Sequence, residues 1–219
     1  MTKKISKSVP QPTIRRLPSY LQVLNELKNK GGSYVSSSFI AGQLQLEAIQ
    51  VRKDLSATGV TGQAGVGFDV AELIKHIEEF LGWDNTHDAF LIGCGNLGAA
   101  LIGYEGFKDS GLNIIAGFDV DKSKIGKMFA GKLVFDLEKL GNLVSRMHIN
   151  IAVLAVPPRQ AQDAACYAVS CGIKAFWNFT PVQLEVPEGI IVERVGLESS
   201  LAVLSSRLKE QLKAEKVKR

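Results

Sequence analysis

The stretch "DAFLIGCGNLGAALIGY", residues 88–104, restricts the possible folds more than any other part of this chain. An apolar strand-like run meets glycines at positions 93, 95 and 98, and a helix-like run rich in alanine and leucine opens directly behind them. A GxGxxG spacing alone is weak, because glycine is common in turns; between a strand and a helix it carries weight. Gly93 permits the tight turn, Gly95 lets the backbone approach a pyrophosphate, and Gly98 lets helix and strand pack closely, with the helix N-terminus facing the phosphates. The next strand ends at "GFDVD", placing Asp119 twenty-one residues after Gly98. A carboxylate there accepts hydrogen bonds from a ribose diol and repels a 2′-phosphate, which favours NAD(H) over NADP(H). Lys122 and Lys124 nearby soften that exclusion. The expected cofactor contacts are therefore Gly93, Cys94, Gly95, Asn96, Leu97 and Gly98 in the turn, and Asp119, Val120 and Lys124 at the following strand end. Cys94 reads as a small side chain filling a variable position rather than an activated thiol.

From Asp88 onward, "AFLIG", "NIIAGFDV", "NIAVLAV" and "KAFWNF" alternate with helical stretches such as "PRQAQDAACYAVSCG". That texture belongs to an α/β fold with a parallel, doubly wound Rossmann-type sheet. Ligands of such sheets lie outside the carboxyl ends of the strands, so "AVPPRQ" and "NFTP" join the glycine turn. Val156 and Pro157 can pack on a ring; Asn178, Phe179 and Thr180 sit beside them, with Asn178 and Thr180 offering polar groups. Hydride transfer ordinarily needs a positioned acid or base. His148 precedes a strand at the opposite end of the sheet, His76 and His87 precede the unit, and Tyr104 in "GYEGFKD" lacks Ser and Lys companions. No catalytic residue is assigned, and NADH or NAD⁺ is read as bound without being consumed.

A chain of 219 residues is more readily two compact units than one. The overall charge of +4 is unevenly spread: residues 1–60 hold nine Lys and Arg against three acids, the remainder 17 against 19. A basic front favours a polyanion through counterion release. "TIRRLPSYLQVLNELKNKGG" places Leu17, Tyr20, Leu24 and Leu27 at helical spacing and stops at Gly31 and Gly32. "YVSSSFIAGQLQLEAIQVRKDLSATGV" opens on capping serines, breaks near "LQLE" and resumes with Ala48, Val51 and Leu55 on one stripe, a helix-turn-helix pattern. "VTGQAGVGFDV" then has the glycine spacing of a hairpin wing. The whole reads as a winged helix that binds DNA. Gln50, Lys53 and Ala57 share the face opposite the apolar stripe, with Gln50 meeting a base edge, Lys53 a base or phosphate, and Arg52 at the border. Arg15 and Arg16 add phosphate contacts, and Ser37, Ser56 and Gln63 complete the expected set. "DVAELIKHIEEFLGWD" is an amphipathic linker helix capped by Asp69 and closed at Gly82.

Three cysteines, Cys94, Cys166 and Cys171, without CxxC spacing and three scattered histidines indicate neither a disulfide framework nor a metal site. No stretch reaches the length of a membrane span and the polar start has no apolar h-region, so a cytoplasmic protein is expected. The final helix, "GLESSLAVLSSRLKEQLKAEKVKR", lines up Leu197, Leu201, Leu204, Leu208 and Leu212 and needs a partner surface.

"RRLPSYL", "QVRKDLS", "GVGFDV", "IGCGNLGAAL", "FDVDKSKIGK", "AVPPRQAQ" and "NFTPVQLEVPEGI", in this order over nearly the whole chain, resemble the segments of the redox-sensing Rex transcriptional repressors of bacteria. The resemblance implies a homodimer on palindromic double-stranded operator DNA: a winged-helix domain with its linker helix at 1–82, a Rossmann domain at 83–195 and a C-terminal domain-swapped dimerisation helix at 196–219. It implies that NADH releases the DNA while NAD⁺ permits binding. It also places Tyr104 on the helix after the glycine turn, near the nicotinamide and the subunit interface. The chain departs from the family pattern at Gln63 and Ala64, where the wing usually carries Lys or Arg. It departs again at Ala57 and Thr58, which replace two aromatics, and at Gly196, which replaces an Asp that pairs across the dimer. Two other readings stay open at this level. One is a small NAD-dependent oxidoreductase fused to a protein-binding helix module; the other is a divergent nucleotide-binding relative, for CoA or NAD, without redox switching.

Overall fold

The computed structural model describes residues 9–217, and the chain divides after Asn85 into two compact units. Lys3, Lys4 and Lys7 of the basic front lie outside the described residues.

In the first unit, α1 (Gln11–Asn29) buries Leu17, Tyr20, Leu21 and Leu24 on one face. Pro18 sits inside it, costing a backbone hydrogen bond that this packing offsets. Gly31, at φ +83°, ends the helix, and the Gly32 amide turns back to the Leu27 carbonyl. After β1 (Tyr34–Val35), Ser36 caps α2 (Ser37–Leu44) by accepting from the Phe39 amide. Gln45 in the left-handed region breaks the chain before α3 (Ala48–Ala57), whose Val51, Asp54 and Leu55 point inward. β2 (Phe68–Asp69) leads into α4 (Val70–Leu81), which Asp69 caps through the Glu72 amide and Gly82 closes at φ +71°. Leu73 and Ile77 of α4 are wholly buried, so this helix is part of the unit's core as well as its last element.

The expected hairpin wing takes a different form. Residues 61–67 make a tight turn with one bridge, Gln63 to Gly67, and β2 pairs antiparallel with β1 instead. The arms around Gly62, Gly65 and Gly67 are too short for a ladder, and Gly67, at φ +105°, lies so close to β1 that a Cβ would run into the Val35 carbonyl.

The second unit is one seven-stranded sheet. Its elements run β3 (His87–Ile92), α5 (Asn96–Ile102), β4 (Leu112–Asp119), β5 (Met128–Phe129), β6 (Lys132–Asp136), α6 (Leu140–Met147), β7 (Ile151–Leu154), α7 (Pro158–Ser170), β8 (Ala175–Asn178), β9 (Ile191–Arg194) and α8 (Leu197–Val217). The spatial order is β5-β6-β4-β3-β7-β8-β9, parallel except for β5 against β6. Alternate residues feed the two faces: Phe90, Ile92, Phe118, Ala152 and Leu154 pack under α6 and α7, while Leu91, Val153 and Val134 pack with Leu101 and Ile102 of α5. Register sets Ile92 beside Phe118 and Leu154, and Leu154 beside Asn178. The segments after β3, β4, β7 and β8 therefore emerge at one edge. α8 carries Leu201, Leu204, Leu208 and Leu212 about half to two-thirds exposed; the side chain of Leu197 lies outside the described part.

Candidate nucleotide crevice and recognition helix

A crevice of about 760 Å³ opens at that edge. Of the expected cofactor contacts, Gly93, Gly95, Asn96, Leu97, Asp119, Val120, Lys124, Val156, Pro157, Phe179 and Thr180 line it. The three turn glycines have separate reasons to be there. Gly93 has φ +96°, and a Cβ would strike the Ala155 carbonyl at 2.6 Å. A Cβ on Gly98 would run into the Gly93 carbonyl oxygen, so helix and strand close only over hydrogen. Gly95 has neither constraint: its φ of −76° suits any residue and nothing lies within 4 Å of its missing side chain. The backbone at Gly95 is left open toward a ligand, and the first-turn amides of α5 lack acceptors within their own helix.

Asp119 ends β4 with its side chain only 10% exposed. Its Oδ2 accepts from the Cys94 amide at 2.8 Å and from Lys124 Nζ at 3.0 Å, and its Oδ1 accepts from the Asp121 amide at 2.9 Å. Burial pushes this carboxyl up, but the Asp121 and Cys94 amides and the Lys124 ammonium outweigh it and hold it below the ordinary carboxylate range. The acid thus pins the glycine turn to the second strand as well as facing the crevice.

Cys94, Gly98 and Asn178 were expected as contacts but sit beneath the crevice wall. Cys94 is 2% exposed, and burial, then Asp119, pushes its thiol up to about 11. Asn178 is fully buried: its Nδ2 donates to the Val182 carbonyl, and its Oδ1 accepts from the Thr180 amide and hydroxyl. It shapes the "NFTP" turn that puts Phe179 and Thr180 in the crevice. Tyr104 follows the helix, since α5 ends at Ile102, and is not among the residues lining the crevice of its own chain. Its ring is 60% exposed and meets Phe107 edge-on at 4.8 Å; Phe107 meets Trp177 at 4.9 Å, and Trp177 meets Phe179 at 4.8 Å. Sequence reasoning missed Leu137 and the α7 wall, Gln160, Asp163, Ala164 and Tyr167. Their spacing of three and four along a helix that starts at a strand end was the available signal.

In the first unit the structure redraws the DNA-facing surface. Asp54, fully buried, accepts from Thr13 Oγ1 at 2.9 Å, Tyr20 Oη at 2.7 Å, Gln50 Nε2 at 2.9 Å and both Nε and Nη2 of Arg16 at 2.6 and 2.9 Å. Burial raises this carboxyl, but Arg16, Tyr20, Thr13 and Gln50 together bring it down to about 2. Arg16 and Gln50, expected as phosphate and base contacts, are thus each held by Asp54 through side-chain nitrogens and remain half-buried. Ser37, 7% exposed in the first turn of α2, is likewise turned inward. With Val51, Asp54 and Leu55 inside, the outward face of α3 is Ile49, Arg52, Lys53 and Ser56, rotated from the expected Gln50, Lys53 and Ala57. Ser56 Oγ donates to the Arg52 carbonyl. Arg15 and Gln63 are exposed, on α1 and the wing turn. Among the described residues no group of three or more His, Cys, Asp or Glu is placed to hold a metal ion, and no helix is long and apolar enough to cross a membrane.

Residues 8–56 match the family described as "Putative DNA-binding protein N-terminus", and residues 84–182 the "CoA binding domain". The chain is similar to the redox-sensing transcriptional repressor Rex of Treponema denticola, 47% identical over 193 residues that cover 88% of this chain and 92% of the relative. It is similar to that of Bacteroides fragilis, 43% identical over 205 residues, 94% of this chain and 93% of the relative. Among solved structures it resembles RSP, a Rex-family repressor, in complex with β-NAD⁺ and operator DNA: TM-score 0.86, 38% identity, covering 96% of this chain and 97% of the other. RSP in complex with β-NADH matches with TM-score 0.86 and 35% identity, covering 96% and 99%.

Proposed function

The chain belongs to the Rex family of redox-sensing transcriptional repressors, and from that premise we propose that it represses by binding operator DNA with NAD⁺ or no reduced cofactor bound and leaves the DNA when NADH fills its crevice. It is a sensor of NADH and NAD⁺ and not an enzyme. The observation that carries this reading is the crevice across the ends of β3, β4, β7 and β8, with backbone left open at Gly95 and a carboxylate at Asp119. The residues fit a dinucleotide: the amides at 95–97 would take the pyrophosphate, Asp119 a ribose hydroxyl, and Val156, Pro157, Phe179 and Thr180 the nicotinamide end. The two cofactor forms differ only in charge and shape at the nicotinamide, so the switch must arise from contacts at that end.

α8 exposes a leucine stripe that a second copy covers, giving a homodimer with the helix exchanged between subunits. Tyr104, exposed and outside its own crevice, faces that second copy. Two α3 helices then present Ile49, Arg52 and Lys53 to the half-sites of a palindrome, in the cytoplasm where the DNA lies. Lys53 and Arg52 supply base or phosphate contacts, Ile49 an apolar contact such as a thymine methyl, and Arg15 and Gln63 flank them. The partition is a DNA-binding unit to Asn85, a cofactor unit from Thr86 to residue 195 and a dimerisation helix at 196–219. Selection from random duplexes by the purified full chain with NAD⁺ is expected to recover a two-fold symmetric site, and the same selection with NADH to recover little. Enrichment of no sequence in either state would contradict the repressor reading.

A further inference from the structure

The crevice wall around Asp119 carries a second piece of information, about which dinucleotides it admits; it rests on the reading of the crevice as an NAD(H) site. A carboxylate has about four lone-pair positions. Asp119 already accepts two donors on Oδ2, from Cys94 and Lys124, and one on Oδ1, from Asp121. One position on Oδ1 is left for a ribose hydroxyl, so the acid cannot grip both hydroxyls of the diol as an unencumbered carboxylate would.

The charge is altered as well. Lys124 Nζ lies 3.0 Å from Asp119 Oδ2 and 3.5 Å from Asp121 Oδ2, and its side chain, 30% exposed, lines the crevice. An isolated carboxylate presents a full negative charge to a 2′-phosphate. Asp119 and Asp121 with the Lys124 ammonium between them present a net single negative charge, where the two carboxylates alone would present a double one. The ammonium itself, on a flexible stem, is within reach of a phosphate that takes the ribose position. The same lysine that holds Asp119 ionised thus reduces the repulsion by which Asp119 would reject a phosphorylated ribose.

We infer that Lys124 is a specificity-determining residue of this crevice: it makes the preference for NADH over NADPH moderate instead of prohibitive, so that the phosphorylated cofactor also binds.

The test is a pair of titrations on the full chain, following the fluorescence of NADH and of NADPH, with unmutated protein, Lys124→Met, Lys124→Arg and Asp119→Asn. The quantity read is the ratio of the NADPH Kd to the NADH Kd. Lys124→Met is expected to raise it about tenfold, the scale of one lost charge partner, and Lys124→Arg to keep it within about threefold of the original. Asp119→Asn, which removes the repelling charge, is expected to lower the ratio, and this holds the inference to account even if Lys124→Met folds poorly. An unchanged ratio in Lys124→Met, with both affinities falling in step, overturns it, because Lys124 would then serve a part common to both molecules. Failure of the unmutated protein to bind NADH is a separate result that removes the NAD(H) reading and this inference with it.

Discussion

Asp54 and Asp119 are both acids drawn out of water, both held ionised by several donors, and they do opposite work. Asp54 is closed on all sides by side chains from α1 and α3, with Thr13, Arg16, Tyr20 and Gln50 converging on it. Nothing of it remains for a ligand, so its role is to lock the recognition helix onto α1. Asp119 is held by two backbone amides and one lysine, at the lip of a crevice, with one acceptor position unfilled. Depressed carboxylates alone do not distinguish a structural acid from a binding one. The donors do: side chains converging from two helices leave Asp54 no free acceptor position, whereas two backbone amides and one lysine leave Asp119 one.

The largest expected effect breaks this comparison at Asp54. Asp54→Ala strips the buried Thr13 and Tyr20 hydroxyls, and Arg16, of their common acceptor and should cost about 2–4 kcal/mol of stability in chemical denaturation. NADH affinity should survive, because the second unit has cores of its own; a matching loss would show that the two sites are not separable. Next, Asp119→Ala removes the acceptor of the Cys94 and Asp121 amides as well as the ribose partner. It should weaken NADH about 10- to 100-fold, as expected for charged hydrogen bonds, with unfolding changed less than in Asp54→Ala. Unaltered NADH affinity would remove Asp119 from the site.

Acid sharpens the contrast. Because the folded carboxyl of Asp54 lies at about 2, below its ordinary value near 4, its stabilisation is fully present above that ordinary value and fades as pH falls toward 2. The stability gap between native protein and Asp54→Ala should narrow by about 2 kcal/mol across that window, and a constant gap would show that ionisation of Asp54 contributes nothing. On the outward face of α3 the effect is smaller. Lys53→Ala should weaken DNA binding and reduce the slope of log K against log salt by about 0.9, with no change in NADH affinity. Smallest of all, Gln50→Ala should leave base preference nearly unchanged, since its amide is held by Asp54; a relaxed preference at one position would restore Gln50 as a reader.

The parts of this structure legible in the sequence are those written in local spacing. α1, the break before α3, the Asp69 cap and Gly82 stop of α4, and the strand, turn and helix around Gly93 all follow from periodicity and glycine chemistry within a few residues. What escaped was set by partners far along the chain. Arg16 has the composition of a DNA contact, and a carboxylate 38 residues away in sequence ties it down; the same acid holds Gln50 one turn back on α3. The one local hint was Asp54 itself, an acid on the same stripe as Val51 and Leu55. The form of the wing was hidden for a related reason: glycine spacing announces a turn, but whether its arms pair with each other or with Tyr34–Val35 is decided by what lies alongside. β6 and β9, in "KLVFD" and "IVER", carry charged ends and only short apolar runs, so sheet neighbours rather than their own residues make them strands. The α7 wall of the crevice is written in local spacing too, as Gln160, Asp163, Ala164 and Tyr167.

All of this bears on one claim, that what fills the crevice beside Asp119 governs what the α3 face does with DNA. Its most direct test is the anisotropy of a labelled operator titrated with the full chain at fixed salt, once with saturating NADH and once with saturating NAD⁺. The expected result is DNA affinity about 5- to 150-fold weaker with NADH, a coupling of about 1–3 kcal/mol. Equal affinities in the two states would contradict the account.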